Sequence, residues 1–148
     1  MTADNQGRIE TWDLVAKTRI AELQGPRKEG EDGWIPSLEL LPDGRLLVAQ
    51  HFKNEDETRV SIRSVDAPDD ARPLFAFPGT LRELRVHAPS RRVLVASGAL
   101  KVYDLDTGAL LATFQGDADM FQFAITEDGK TILAGEIGGR VHILSVQF

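Results

Sequence analysis

The stretch KVYDLDTGALLATFQG, residues 101–116, reads as two short strands joined by a tight turn. Apolar and polar side chains alternate in its first part, which is the pattern of a strand with two different faces. The turn is rich in Asp, which can cap its own backbone, and in Gly, which accepts a positive φ. The second strand ends at Gly116. Whether this hairpin occurs once or repeats determines the fold.

Both strands of the hairpin recur along the chain. The segments similar to its first strand are RIETWDL (8–14), RVSIRSV (59–65), ALKVYDL (99–105) and RVHILSV (140–146). Their first matched apolar residues, beginning with Ile9, are 51, 40 and 41 residues apart. The segments similar to its end are ELQG (22–25), AFPG (76–79) and TFQG (113–116). A period near 40 residues is that of a four-stranded β-propeller blade.

A third set of repeats places a turn before a continuous apolar run. Its members are LPDGRLLVA (41–49), APSRRVLVA (88–96) and TEDGKTILA (126–134). A strand that is apolar on both faces belongs between stacked sheets, so these runs predict the core. The predicted core residues are Val93, Leu94, Val95, Ile132, Leu133, Phe75, Phe77, Phe114, Phe121 and Phe123.

These repeats predict an all-β propeller segment over residues 1–148, made of four-stranded antiparallel blades. The units lie at about 7–25, 34–79, 81–116 and 120–147, and together hold about thirteen strands. The first unit lacks its first two strands, and the last unit lacks its fourth. We therefore expect about three blades with partial terminal blades, forming an incomplete or open ring. Such a segment corresponds to the C-terminal repeats of a longer propeller.

The composition describes an ordinary globular chain of 148 residues, 42% hydrophobic and 27% charged. A net charge of −6 argues against nucleic-acid binding, because phosphate contacts need clustered Lys and Arg. No apolar run approaches the about 18 residues of a membrane span, and the first ten residues lack a secretory apolar stretch. The chain contains no cysteine. We therefore expect a cytoplasmic protein that binds neither nucleic acid nor membrane.

The chain resembles the WD40-repeat β-propeller family along nearly its whole length. ETWDL carries a Trp-Asp pair at Trp12 and Asp13, and KVYDLDTG carries a Tyr-Asp variant at Tyr103 and Asp104. The ending GGRVHILSV is similar to the last repeat of bacterial WD40 proteins, including those attached to signalling ATPases, and YDLDTGALLATF is equally similar to YVTN and quinoprotein-type propellers. The Gly-His dipeptide of the family is absent, so its His–Ser–Asp–Trp network is not expected.

The resemblance implies a non-catalytic protein-interaction scaffold, as the sensor or C-terminal part of a larger signalling protein. The partner would be another protein, or a second copy bound through exposed blade edges. The alternative that stays open is an enzyme of the quinoprotein or lactonase-like propeller type. Such an enzyme needs carboxylates, His or a cofactor converging on a central channel.

Candidate catalytic residues are not evident in the sequence, and no cofactor or metal is expected. His51, His87 and His142 are 36 and 55 residues apart, which is not the spacing of a zinc site. The acidic clusters at 55–57, 69–70 and 117–119 lack the alternating Asp spacing of a calcium loop. Nucleophile-elbow and phosphate-loop motifs are missing. His142 alternates with apolar neighbours, which predicts a polar strand position.

Trp34, Arg82 and Asp119 are the candidate partner-binding residues. Trp34 follows a charged loop and opens a strand, on the face where propellers of the resembled family often dock partners. Trp is enriched at interface hot spots, which favours a binding role. Packing at the edge of a blade would explain the same residue equally well, so both interpretations stay open.

Overall fold

The structure, a computed structural model, describes residues 2–3, 8–24, 33–65 and 71–147. Fourteen strands lie in this part of the chain. They are β1 Thr2–Ala3, β2 Arg8–Asp13, β3 Thr18–Gln24, β4 Gly33–Leu40, β5 Leu46–Phe52, β6 Glu57–Arg63, β7 Arg72–Pro78, β8 Glu83–His87, β9 Arg92–Ser97, β10 Ala99–Asp104, β11 Leu110–Phe114, β12 Met120–Ile125, β13 Thr131–Glu136 and β14 Val141–Ser145. Within the described residues, no helix has the length and apolar character needed to cross a membrane.

The chain divides into two compact units, Met1–Gly79 and Thr80–Phe148. The N-terminal unit holds a three-stranded sheet of order β1-β2-β3 and a four-stranded sheet of order β4-β5-β6-β7. The C-terminal unit holds a four-stranded sheet of order β11-β10-β9-β8 and a three-stranded sheet of order β12-β13-β14. All neighbouring strands are antiparallel. The predicted all-β, blade-like architecture of an incomplete propeller is confirmed.

One strand escaped the sequence analysis. The two-residue β1 pairs with β2 through Thr2↔Glu10 and Ala3↔Ile9. The first sheet therefore has three strands in the described residues, not the two that the repeats predicted. A two-residue segment is too short to show the alternation by which strands are recognised.

The continuous apolar runs form the central strands, as predicted. Every residue of β5 is buried, and Leu46, Leu47 and Val48 are each 0% exposed. Leu46 and Val48 form one buried cluster with Ile35 of their own sheet and with Ile9 of β2, so this cluster joins the two sheets of the N-terminal unit. Strands buried on both faces need no polar alternation, which explains why the runs in β5 and β9 are unbroken.

The core of the C-terminal unit lies between its two sheets. Leu94, Ala96, Leu100 and Val102 come from β9 and β10. Met120, Phe123, Ile132 and Ala134 come from β12 and β13 and pack against them. Neither sheet could bury these apolar faces alone, so their stacking is the main source of stability.

Two predicted core residues are exposed. Leu133 is 43% exposed and Phe121 is 44% exposed, so their prediction as core residues was wrong. Leu133 points to the face opposite to Ile132, because successive strand residues alternate between the two faces. Phe121 lies where the register of β12 and β13 shifts, so the alternation that predicted it as a core residue is interrupted there. Phe75 and Phe114 are half-buried, and the remaining six predicted core residues are buried.

The turn between β10 and β11 is built by its first aspartate. Asp104 Oδ1 accepts hydrogen bonds from the Asp106 and Thr107 amides at 3.0 and 2.9 Å, and Gly108 adopts φ 74°. These bonds, with that from the Thr107 hydroxyl, hold the pKa of the Asp104 carboxyl below its usual value. Asp13 caps the corresponding turn after β2 through the Val15 and Ala16 amides. Capping thus explains the Asp of both aromatic-Asp pairs.

Candidate functional site

The three candidate residues lie at one kind of place in the fold. We call it the loop end of a sheet. At this end the first strand begins, the fourth strand ends, and a turn connects the second strand to the third. Trp34 lies at the loop end of the β4–β7 sheet, in the N-terminal unit. Arg82 and Asp119 lie at the loop ends of the two sheets of the C-terminal unit, each just before a first strand.

Trp34 is half-buried beside a buried polar chain. Its ring lies 4.4 Å from the ring of His51, measured between centroids. The Thr58 hydroxyl donates to the Gly79 carbonyl at 2.8 Å, so it accepts from Nδ1 of His51 at 3.0 Å. This chain ties the ends of β5, β6 and β7 together. It fixes the His51 ring, which in turn gives Trp34 a rigid surface to pack on.

Arg82 lies over an exposed aromatic ring of the neighbouring sheet. Its guanidinium carbon is 5.7 Å from the centroid of Phe121, within the range of cation–π attraction. Arg82 is exposed, and its amide donates to the Ala96 carbonyl at 2.9 Å, which anchors the backbone. Asp119, two residues before Phe121, is also exposed. We call Arg82, Asp119 and Phe121 the Arg82 patch.

A buried carboxylate fixes the loop that carries Asp119. Only 3% of the Glu136 side chain is exposed. Its Oε1 accepts from the Asp117 amide at 2.9 Å and lies 2.8 Å from Nε2 of His142. An ionised carboxylate only accepts, so Nε2 carries the proton. The His142 hydrogen bond, with those from the Ala118 and Asp117 amides, holds the pKa of Glu136 below its ordinary 4.5.

The loop passes very close to this carboxylate at Gly116. A Cβ built on Gly116 would lie 2.9 Å from Glu136 Cδ and nearer still to Oε1 and to Cε of Met120. Steric crowding therefore explains why the repeat segment TFQG ends in Gly at this position. At Gly79 the reason differs, since that residue adopts φ 82°.

This constellation does not suit acid–base catalysis. A general acid at neutral pH needs a raised pKa, whereas that of Glu136 is lowered and its side chain is buried. Within residues 2–3, 8–24, 33–65 and 71–147, no three His, Asp or Glu side chains are grouped so that they could hold a metal ion. The hydrogen bonds of Glu136 and His142 hold the backbone at Asp117 in place, two residues before Asp119.

Sequence reasoning missed the pairing of Glu136 with His142. The sequence predicts His142 only as a polar strand position. Ala134 pairs with His142 across β13 and β14, so Glu136 is the diagonal neighbour of His142 on the same face. In the sequence, Glu136 and His142 flank a Gly-Gly turn, and this spacing is the signal by which the pair could have been found.

We expect the stabilisation by Glu136 to depend on pH. Its folded-state pKa is lowered, so the carboxylate stabilises the fold above the unfolded pKa near 4.5 and loses this effect as pH falls through the folded pKa. Urea midpoints of wild type and Glu136→Gln between pH 7 and 3 test this. The two midpoints should differ most at pH 7 and converge in acid. A difference that stays constant with pH would contradict the assignment.

Comparison with known proteins identifies the fold but no close relative. By sequence, no family model and no curated protein matches the chain. By structure, 583 chains match, among them the β-propeller domain of Cps50 (Swd1) from Myceliophteria thermophila, with a TM-score of 0.71 and 18% identity. That match covers 98% of this chain and 46% of the other, so the chain spans just under half of that domain. The described part of the chain therefore has the fold of part of a β-propeller, with two four-stranded blades and two three-stranded sheets.

Proposed function

We propose that this protein is a non-catalytic protein-binding platform whose partner contacts the loop ends of its blades. The observation that carries the proposal is the Arg82 patch, where an exposed guanidinium lies over the exposed aromatic ring of Phe121 and the exposed Asp119 precedes that residue by two positions. Arg and aromatic side chains supply most of the binding energy in protein interfaces. Trp34 adds a second candidate contact in the N-terminal unit.

The framework beneath the Arg82 patch supports this proposal. Stacked sheets hold loops at fixed positions, so little conformational entropy is lost when a partner binds. Glu136 anchors the loop of Asp119, and Glu83 Oε2 accepts from the Phe123 amide at 2.8 Å beside Phe121. The role in signalling stays a prediction from the family resemblance. The cytoplasmic location and self-association through blade edges stay predictions from the sequence.

Partner capture with matched variants tests the proposal. We expect Arg82→Ala and Trp34→Ala, each tested separately, to weaken binding of a partner by about tenfold, as at interface hot spots. Lys130→Ala is the control, since Lys130 is exposed in the turn at the opposite end of its sheet. Quantitative mass spectrometry of proteins co-purified with each variant measures the effect. If every captured protein binds the loop-end variants and Lys130→Ala equally, the proposal fails.

A further inference from the structure

The guanidinium of Arg82 has no carboxylate partner among the described residues. Its side chain contacts the ring of Phe121, and that contact is not an ion pair. The next residue, Glu83, directs its carboxylate elsewhere. One of its oxygens accepts from Nε of Arg85 at 3.1 Å, and the other accepts from the Phe123 amide at 2.8 Å. The exposed Arg82 side chain therefore keeps its charge available to a ligand from outside the chain.

The contact with Phe121 places this charge without consuming its donors. A guanidinium carries five N–H donors in a rigid planar fork, and that fork matches the two oxygens of a carboxylate. Attraction to one aromatic ring restricts the side chain and leaves most of these donors available. Because the guanidinium is already partly ordered, a carboxylate that binds it immobilises less of the Arg82 side chain.

Asp119 adds a negative charge close to this guanidinium but is not paired with it. Its Oδ1 would lie 3.7 Å from a Cβ built on Gly98, the residue between β9 and β10. Among the described residues, Asp119 forms no ion pair with Arg82. Asp119 precedes Phe121 by two residues, which span at most about 7 Å, so its charge weakly opposes an anion bound at Arg82.

Apolar surface surrounds the same place. Phe121 is 44% exposed, and Ile137, in the turn between β13 and β14, is 61% exposed. The Ile137 amide donates to the Asp119 carbonyl at 3.0 Å, which holds this turn beside the Arg82 patch. Gly98 alone connects β9 to β10, so that turn projects little over the patch. The surface suits a polypeptide segment, with side chains of more than one kind, better than a free ion.

We propose that the partner of the Arg82 patch presents an Asp or Glu side chain, whose carboxylate accepts hydrogen bonds from the Arg82 guanidinium. This assignment rests on the proposed function and names the chemistry of its partner. A phosphate group carries up to about two negative charges and is bound best where several cations converge. The patch offers one guanidinium and an opposing carboxylate, so a singly charged carboxylate fits it better. Phe121 and Ile137 contact the residues that flank this carboxylate.

A defined acidic peptide tests the proposal on the full chain. The probe is the peptide Gly-Leu-Glu-Glu-Leu-Gly with both termini blocked, and its control replaces both Glu residues with Gln. Each is titrated into the ¹⁵N-labelled protein while the Nε–H signal of Arg82 is followed by NMR. We expect a saturable shift with a dissociation constant in about the millimolar range. The Gln peptide should bind about fivefold more weakly, because a charged acceptor makes the stronger hydrogen bond.

Four exposed-site variants of the protein sharpen the test, read from the ring signals of Phe121. Arg82→Ala should weaken binding of the Glu peptide by about tenfold, and Arg82→Lys, which keeps the charge but loses the fork, by about threefold. Asp119→Asn should tighten binding about twofold, because it removes a nearby like charge. Lys130→Ala removes one positive charge at the opposite end of its sheet and should bind like wild type.

Four results would overturn the proposal. They are no saturable shift of the Arg82 signal, equal binding of the Glu and Gln peptides, weaker binding by Asp119→Asn, and a shift of the Arg82 signal by inorganic phosphate at lower concentration than by the Glu peptide. Partner capture remains a separate test. If a captured protein is lost with Arg82→Ala but the Glu peptide does not bind, the protein-binding function stands and the carboxylate assignment fails. If the peptide binds but no captured protein depends on Arg82, the proposed function fails instead.

Discussion

Replacing Ile132 with Ala is expected to lower the free energy of unfolding by about 2–5 kcal/mol. Ile132 is 1% exposed and packs in the core between the two sheets of the C-terminal unit. Truncation would remove buried methyl groups and leave a cavity that close-packed strands cannot collapse around. Urea unfolding, followed by circular dichroism, measures the change.

Leu133→Ala is the matched control in the same strand. Leu133 is the next residue of β13, but it is 43% exposed because it points to the opposite face. We expect a loss below about 1 kcal/mol, since Leu133 loses less apolar surface to burial than Ile132 and its truncation leaves no enclosed cavity. Equal losses for the two variants would contradict the assignment of faces in this sheet.

Replacing Gly116 with Ala is expected to cost about 3 kcal/mol, the upper range for overpacking. The new Cβ would overlap the carboxylate of Glu136 and the end of the Met120 side chain. Met120 is 1% exposed, and Glu136 cannot move without losing its bonds to the Asp117 amide and His142. A shift of Met120 would leave a buried side chain worse packed, and a shift of Glu136 would leave its buried partners without their hydrogen bonds. Thermal unfolding measures the loss.

Gly138→Ala is the control for this prediction. A Cβ on Gly138 would meet no atom within 4 Å, and the residue lies in the exposed turn between β13 and β14. We expect a change within about 0.5 kcal/mol. If Gly116→Ala is as well tolerated as Gly138→Ala, the loop of residues 115–119 does not pass against Glu136 as described.

The sequence was most informative where the same pattern recurs. Runs such as 46–49 and 93–95 are apolar on both faces, so they identified central strands without any knowledge of tertiary contacts. Leu133 shows the limit of that reasoning. It sits in the same kind of run, but its exposure depends on whether another sheet covers that face, and no local pattern in β13 records this.

The candidate site was less accessible from the sequence. Trp34 and Arg82 could be singled out by residue type and by their places before strands, but Phe121 was assigned to the core. The cation–π contact depends on the stagger between neighbouring sheets, which strand alternation does not determine. The support of the loop by Glu136 depends on a diagonal pairing across a hairpin, which requires the register of β13 and β14.

The measurement that tests the central claim most directly is a methyl NOE spectrum of the full chain. The claim is that the sheets stack face to face, with Ile132 and Leu144 directed toward Leu100 and Val102. We predict NOEs from the methyls of Ile132 to those of Leu100 or Val102, and none from Leu133 to either. NOEs that join Leu133 to Leu100 or Val102, with Ile132 giving none, would contradict the stacked-blade architecture.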